Sequence, residues 1–143
     1  MRSYMKLHQQ RFSIQTNGRN TYNITYDIEQ IIAKSSIQTG LCHLFIHHTS
    51  ASLIITENAD SDVRRDLETI FSRLAPDGDP EYLHTMEGID DMSGHVRSIL
   101  TQTEITIPVS NFRSALGTWQ GVFLWEHRTG RFQRHITVTV TGE

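Results

Sequence analysis

The sequence predicts an α+β fold, a largely antiparallel β-sheet or sandwich with about three helices, in one compact domain over residues 1–143. Three observations predict it. Apolar residues alternate with polar ones in short runs toward both ends of the chain, helical spacing recurs in three segments between them, and the blocks do not follow the β-α-β order that a parallel sheet needs.

Phe12 and Ile14 alternate with polar neighbours and mark a first strand, and Asn17-Gly18 reads as a turn. Asp27 is placed to cap a short helix with Ile28, Ile31 and Ile32 on one face. Leu41 to His48 is a strand, with Cys42, Leu44, Ile46 and His48 on one face and Leu41, His43, Phe45 and His47 on the other. Leu53-Ile54-Ile55 continues as a second apolar strand. Asp60 caps a helix that carries Val63, Leu67, Ile70, Phe71 and Leu74 at helical spacing, and the Pro/Gly-rich stretch 75–80 ends it. A third helix begins after Asp90 or Asp91, with Met92, Val96, Ile99 and Leu100 expected inward. Ile105 and Ile107 mark a strand. Gly121–Arg128 and Phe132–Val140 are expected to form a hairpin about Thr129-Gly130, its last strand turning His135, Thr137 and Thr139 to solvent or a partner.

A chain of 143 residues fits one domain. At that size roughly 70% of the unfolded surface is buried on folding, so neither a disulfide nor a structural metal is needed, and any metal is functional. The net charge of -3 leaves no basic field of the kind that nucleic-acid binding requires. Charge is unevenly spread, with eleven Asp/Glu against three Arg between Glu57 and Asp91. The single cysteine, Cys42, lies in an apolar run and is expected buried. The N-terminal residues lack the apolar core of a signal peptide, and no apolar run approaches the ~20 residues of a membrane span. The expected location is the cytoplasm, with no membrane partner.

Eight histidines are the main chemical signal. His84 and His95 flank Glu87-Gly88-Ile89-Asp90-Asp91, an acidic loop whose glycine lets it fold back and bring them together. Neutral imidazoles ligate zinc and related ions, and carboxylates fix the rings through the second N–H. His127 sits between Glu126 and Arg128 at the end of an apolar strand, where unpaired charge is costly. His48 precedes Thr49-Ser50-Ala51-Ser52, a turn rich in hydroxyls and amides of the kind that binds anions. Gly117-Thr118-Trp119-Gln120-Gly121 is a turn whose Trp119 either packs on the core or stacks on a ligand ring.

Taken in order, His48-Thr49-Ser50-Ala51-Ser52, Glu57-Asn58-Ala59-Asp60, His84-Thr85-Met86-Glu87-Gly88 with Asp90-Asp91-Met92 and His95, and Leu116-Gly117-Thr118-Trp119-Gln120-Gly121 running into Glu126-His127-Arg128 resemble the YjbQ family, also described as secondary thiamine-phosphate synthases. The resemblance runs from about Thr21 to the C-terminus. It implies a homotrimer with a histidine-rich cleft for a divalent metal. It also implies a weak thiamine-phosphate synthase activity that joins hydroxymethylpyrimidine pyrophosphate to hydroxyethylthiazole phosphate and releases pyrophosphate. Carried onto this chain, it makes His84, His95 and His127 metal ligands. Histidine ligands suit zinc or a similar ion rather than magnesium, so any magnesium would arrive with a small phosphorylated substrate. His48 becomes a fourth ligand or an acid/base, and Ser50, Asn58, Trp119 and Arg128 contact substrate. On chemical grounds Glu87 or Asp90 is expected to orient a histidine or take a proton. The chain departs from the pattern at Ser61 and Ser93, where proline is common, and at Asn111-Phe112-Arg113, in place of a Gly-Arg turn. A metal-dependent phosphoester hydrolase and a non-catalytic module for a small anionic ligand remain open beside the synthase.

Overall fold

The computed structural model describes residues 4–143. Among these residues eight strands and three helices follow one another as β1 (Lys6–Asn17), β2 (Asn20–Asn23), α1 (Thr25–Ser35), β3 (Gly40–Ile46), β4 (Ala51–Glu57), α2 (Ser61–Leu74), α3 (Asp91–Leu100), β5 (Glu104–Ser110), β6 (Arg113–Ser114), β7 (Gln120–Glu126) and β8 (Arg131–Gly142). They form two antiparallel sheets, one ordered β1-β8-β3-β5-β6 and the other β2-β7-β4. The α+β class expected from the pattern is the one observed.

The expected hairpin between residues 121 and 140 is not. β7 pairs with β2 and β4, whereas β8 pairs with β1 and β3. The β1–β8 ladder ends at Asn17 opposite Arg131, and the β2–β7 ladder resumes at Asn20 opposite Glu126. A two-stranded ribbon therefore turns a corner from one sheet into the other. The corner is held by the Gly18 N–H donating to the Gly130 carbonyl at 2.9 Å, with Gly18 at φ +92°.

Burial explains the switch. Every residue from Gly121 to Glu126 is buried, so β7 needs cover on both faces. Val122 and Leu124 join the main core with Leu53, Leu44, Ile46, Ile107, Ile136 and the isoleucines of α1, while Phe123 and Trp125 face the other way with Ile54, against Leu67 and Phe71 of α2. In β3 the alternation is as expected, with Cys42, Leu44 and Ile46 buried.

The helices depart from the sequence reading in ways that matter for the site. α1 starts at Thr25 rather than after Asp27, because the Asn23 side chain accepts the Thr25 N–H at 3.0 Å, and Asp27 falls in the first turn. Asp60 caps α2 as expected, accepting the Asp62 N–H at 2.9 Å. α3 is turned over. Its buried residues are Asp91, Ser93, Gly94, Arg97 and Ser98, while Ile99 is 81% and Leu100 53% exposed. The polar face is held inside by fixed partners. Arg97 donates to Glu68 at 2.8 Å and to Ser72 at 3.3 Å, Ser93 to Asp77, and Thr101 to Ser52 at 2.6 Å.

Among the described residues no helix is long and apolar enough to cross a membrane.

Candidate metal centre

The start of α3 assembles a cluster of His84, Asp91 and His95. Asp91 and His95 are four residues apart on one helix, so they stack on one face. His84 comes in from the preceding loop, which folds back through Gly88 at φ +113°. Its Nε2 lies 2.7 Å from Asp91 Oδ2, and His95 Nε2 lies 3.1 Å from the same oxygen. The three side chains offer ligand atoms within 4.8 Å of one another. The Asp91 side chain is 8% exposed, that of His95 28% and that of His84 47%, which puts the cluster at the rim of the molecule.

The tautomer of His95 is decided by its other nitrogen. Nδ1 lies 2.9 Å from the Thr49 carbonyl, which can only accept, so Nδ1 carries a proton. In a neutral ring the lone pair of Nε2 then faces the Asp91 carboxylate. That arrangement is repulsive unless a cation or a second proton lies between them. Burial works to raise the Asp91 carboxyl, but the hydrogen bond with His84, the electrostatic influence of the adjacent His95 and the nearby Arg128 outweigh it and hold the group below the usual carboxylate range. Asp91 is therefore an anion aimed at two imidazole nitrogens.

Of the three histidines expected to share a metal, the structure brings two together. His127 has no exposure, lies behind Gly94, and places Nε2 2.7 Å from the Ser52 hydroxyl. Burial first, then the charges of Arg97, Arg19 and Arg134, push its pKa down to about 3. The third place in the cluster is taken by Asp91. The buried Ser52–His127 pair is not a nucleophile-base pair either, since Ser52 is 1% exposed and His127 Nδ1 has no partner among the described residues.

The other expected site residues are placed as follows. His48 shares with His95 the lining of a cavity of about 410 Å³, together with Ser98 and Ile99. Its Nε2 accepts the backbone N–H of His135 at 2.8 Å, and burial with Arg134 and His135 lowers its pKa to about 4. That lone pair is spent, so His48 is neither a ligand through Nε2 nor a proton acceptor near neutrality. Asp90 does not orient a histidine. Its carboxylate accepts from the Thr129 N–H at 2.8 Å, the Thr129 hydroxyl at 3.0 Å and Arg128 at 3.2 Å. It thereby pins the loop to the sheet corner. Glu87 is exposed and takes part through its carbonyl, which accepts from Arg128 at 2.5 Å. Arg128 binds Asp90 and approaches Asp91 at 3.6 Å, so it braces the cluster. Ser50 is buried and accepts from Arg134 at 3.0 Å, which leaves it no contact with a ligand. Asn58 and Trp119 lie at the far end of the β4–β7 ladder, where Glu57 faces Gln120, whereas Thr49 and Ser50 adjoin the end where Ala51 faces Glu126. Six residues of strand separate the two ends by about 20 Å, so neither reaches the cluster within the chain.

Reasoning from sequence missed Asp91, although its spacing to His95 on a helix was a readable signal. It also missed Glu126–Arg134, a buried pair held by bonds of 2.7 and 2.5 Å with Thr16 as a further donor to Glu126.

Comparison with known proteins now adds to this geometry. The profile of a family described as "UPF0047 protein YjbQ-like" matches residues 10–143. The UPF0047 protein sll1880 of Synechocystis is 50% identical over 136 residues, covering 95% of this chain and 92% of that protein. The UPF0047 protein YjbQ of Escherichia coli O157:H7 is 39% identical over 137 residues, covering 95% and 99%. A crystal structure of a YbjQ-like protein of unknown function from Sulfolobus solfataricus superposes with a TM-score of 0.86 at 30% identity, covering 98% of this chain and all of that one. The Synechocystis and Escherichia coli relatives are named as UPF0047 proteins with no activity stated, and the Sulfolobus protein is described as of unknown function. The expected thiamine-phosphate synthase activity, and with it the transferase assignment, is therefore withdrawn.

Proposed function

This chain belongs to the YjbQ (UPF0047) family, and from that premise we propose that it is a transition-metal protein that holds a divalent ion on His84, Asp91 and His95 and presents it to a small oxygen-bearing ligand. The reading is carried by one observation. The Thr49 carbonyl fixes the proton of His95 on Nδ1 and so turns a lone pair toward Asp91 and the neighbouring nitrogen of His84.

Two imidazoles and one carboxylate suit zinc, iron, nickel or copper and do not suit magnesium, which prefers an all-oxygen shell. Backbone carbonyls that accept the second N–H of a ligand histidine are the usual outer support of such sites. Three protein ligands leave coordination positions open, as catalytic rather than structural sites do. When bound, such an ion polarises a coordinated oxygen. The chain's own residues do the rest. Arg128 and Asp90 fix the loop, Thr49 orients His95, and the cavity beside His95 gives a ligand room next to the cluster.

Exposed apolar residues around the site support assembly with further copies of the chain. Leu83 is 97%, Met86 93% and Ile89 73% exposed in the loop around His84, and Ile99 and Leu100 extend the apolar surface along α3. A patch of this kind marks a contact surface, and the reading includes assembly as a homotrimer through it.

The deciding experiment is zinc titration of the metal-stripped protein by calorimetry, with elemental analysis of the protein as purified. One ion per chain is expected. Asp91→Asn and His95→Ala should lose that binding, whereas His127→Gln should keep it. Retention of wild-type affinity by both cluster variants would sink the proposal.

A further inference from the structure

A second concave site lies beside the end of β7, between the start of β2 and the first two turns of α2. It is a cavity of about 380 Å³ lined by Arg19, Asn20, Arg64, Arg65, Glu68 and Trp125, among others, and it shares no residue with the metal cluster. Between Glu57 and Asp91, acidic residues outnumber arginines by eleven to three, yet two of those three arginines open onto this cavity.

The charges at its wall are not equally free. Glu68 is the acidic residue of the lining, and its carboxylate is occupied, accepting from Arg97 at 2.8 Å and from the Trp125 indole N–H at 3.2 Å. Arg19 is held by a two-pronged pair with Asp77 at 2.8 Å on both prongs and by the His127 carbonyl at 2.8 Å, so it forms a rigid wall. Arg64 has no carboxylate partner among the described residues. It donates to the Glu57 carbonyl at 3.1 Å, and its guanidinium lies 4.7 Å over the Phe123 ring. Arg65 approaches Asp62 at 3.7 Å, an exposed contact that compensates little of its charge. Two arginines with little or no carboxylate compensation therefore line one concave site, in a protein whose net charge is -3.

Guanidinium pairs match the oxygen geometry of phosphate, and a cavity of this size takes a small metabolite. We infer that this cavity binds a phosphate-bearing small molecule, with the phosphate held by Arg64 and Arg65 and the organic part toward Asn20 and Trp125. The site is independent of the metal cluster and does not rest on the proposal made for it.

The test is calorimetric titration of inorganic pyrophosphate into the intact protein in the presence of a chelator, which silences any metal-borne binding. Saturable binding of one pyrophosphate per chain is expected. It should weaken at least about tenfold in the double variant Arg64→Gln/Arg65→Gln and in the exposed single variant Arg65→Gln by a smaller factor, and stay unchanged in His95→Ala. Arg65→Gln keeps the test decisive if the double variant does not fold. Absence of saturable binding, wild-type affinity in both arginine variants, loss of binding in His95→Ala, or equally tight binding of malonate would each overturn the inference.

Discussion

Replacing His127 with glutamine should flatten the acid side of the stability profile. The ring has no exposure and is held neutral by burial and by the charges of Arg97, Arg19 and Arg134, with its pKa lowered from 6.5 to about 3. The sign follows from the two states. Above the unfolded value both states carry a neutral ring and bind the same number of protons. Below it the unfolded chain takes up a proton that the folded chain refuses. Stability is thus fully present above pH 6.5 and is lost as pH falls toward 3. With an unfolded pKa of about 6.5 and a folded value far below the range tested, the loss between about pH 7 and about pH 5 comes to about 2 kcal/mol. Urea unfolding of wild type and His127→Gln at a series of pH values measures it. The wild type should lose about 2 kcal/mol more than the variant over that interval, whatever constant difference separates the two. Added zinc should leave this difference unchanged, because the ring lies outside the cluster. Identical pH slopes in the two proteins would refute the reasoning, as they would mean that the folded ring takes up its proton as readily as the unfolded one.

Other consequences are as direct. Arg134→Met strands the fully buried Glu126 carboxylate and should cost about 3–5 kcal/mol in urea unfolding, a loss that Glu126→Gln made in the same chain should partly restore. Phe112 sits in the two-residue turn between β5 and β6 at φ +65°, beside Asn111 at +53°. A bulky side chain is strained there, so Phe112→Gly should raise the melting temperature, corresponding to about 0.5–1 kcal/mol. Asp90→Asn weakens the brace on the loop without removing a ligand, and zinc affinity should fall by roughly 10–100-fold. Ile99→Glu places charge on an exposed apolar position of α3, and sedimentation velocity should show the proposed trimer shifted toward the single chain.

The chain's local chemistry is legible because it depends on near neighbours. Alternation in Leu41–Ile46 and helical spacing in Val63–Leu74 are set by backbone geometry, and the structure has both. The convergence of His84 and His95 was readable for the same reason, since the loop between them is short and carries Gly88. The departure at Asn111-Phe112 from a Gly-containing turn also has its physical meaning there, in two residues held at positive φ.

What lay outside the sequence's reach is the choice among faces and partners. Periodicity shows that α3 has a polar and an apolar side, but only the positions of Glu68, Ser72 and Asp77 decide that the polar side goes in. Two adjacent runs such as β7 and β8 look like a hairpin locally, and only the need to cover β7 on both faces sends them to different sheets. The grouping of Asp91, rather than His127, with His84 and His95 has the same origin. His127 follows a strand buried on both sides and is carried into the core, while Asp91 stands one turn before His95 at the rim. Spacing determined which groups were available, and packing, a property of the whole chain, decided which of them meet at the rim and which are carried into the core.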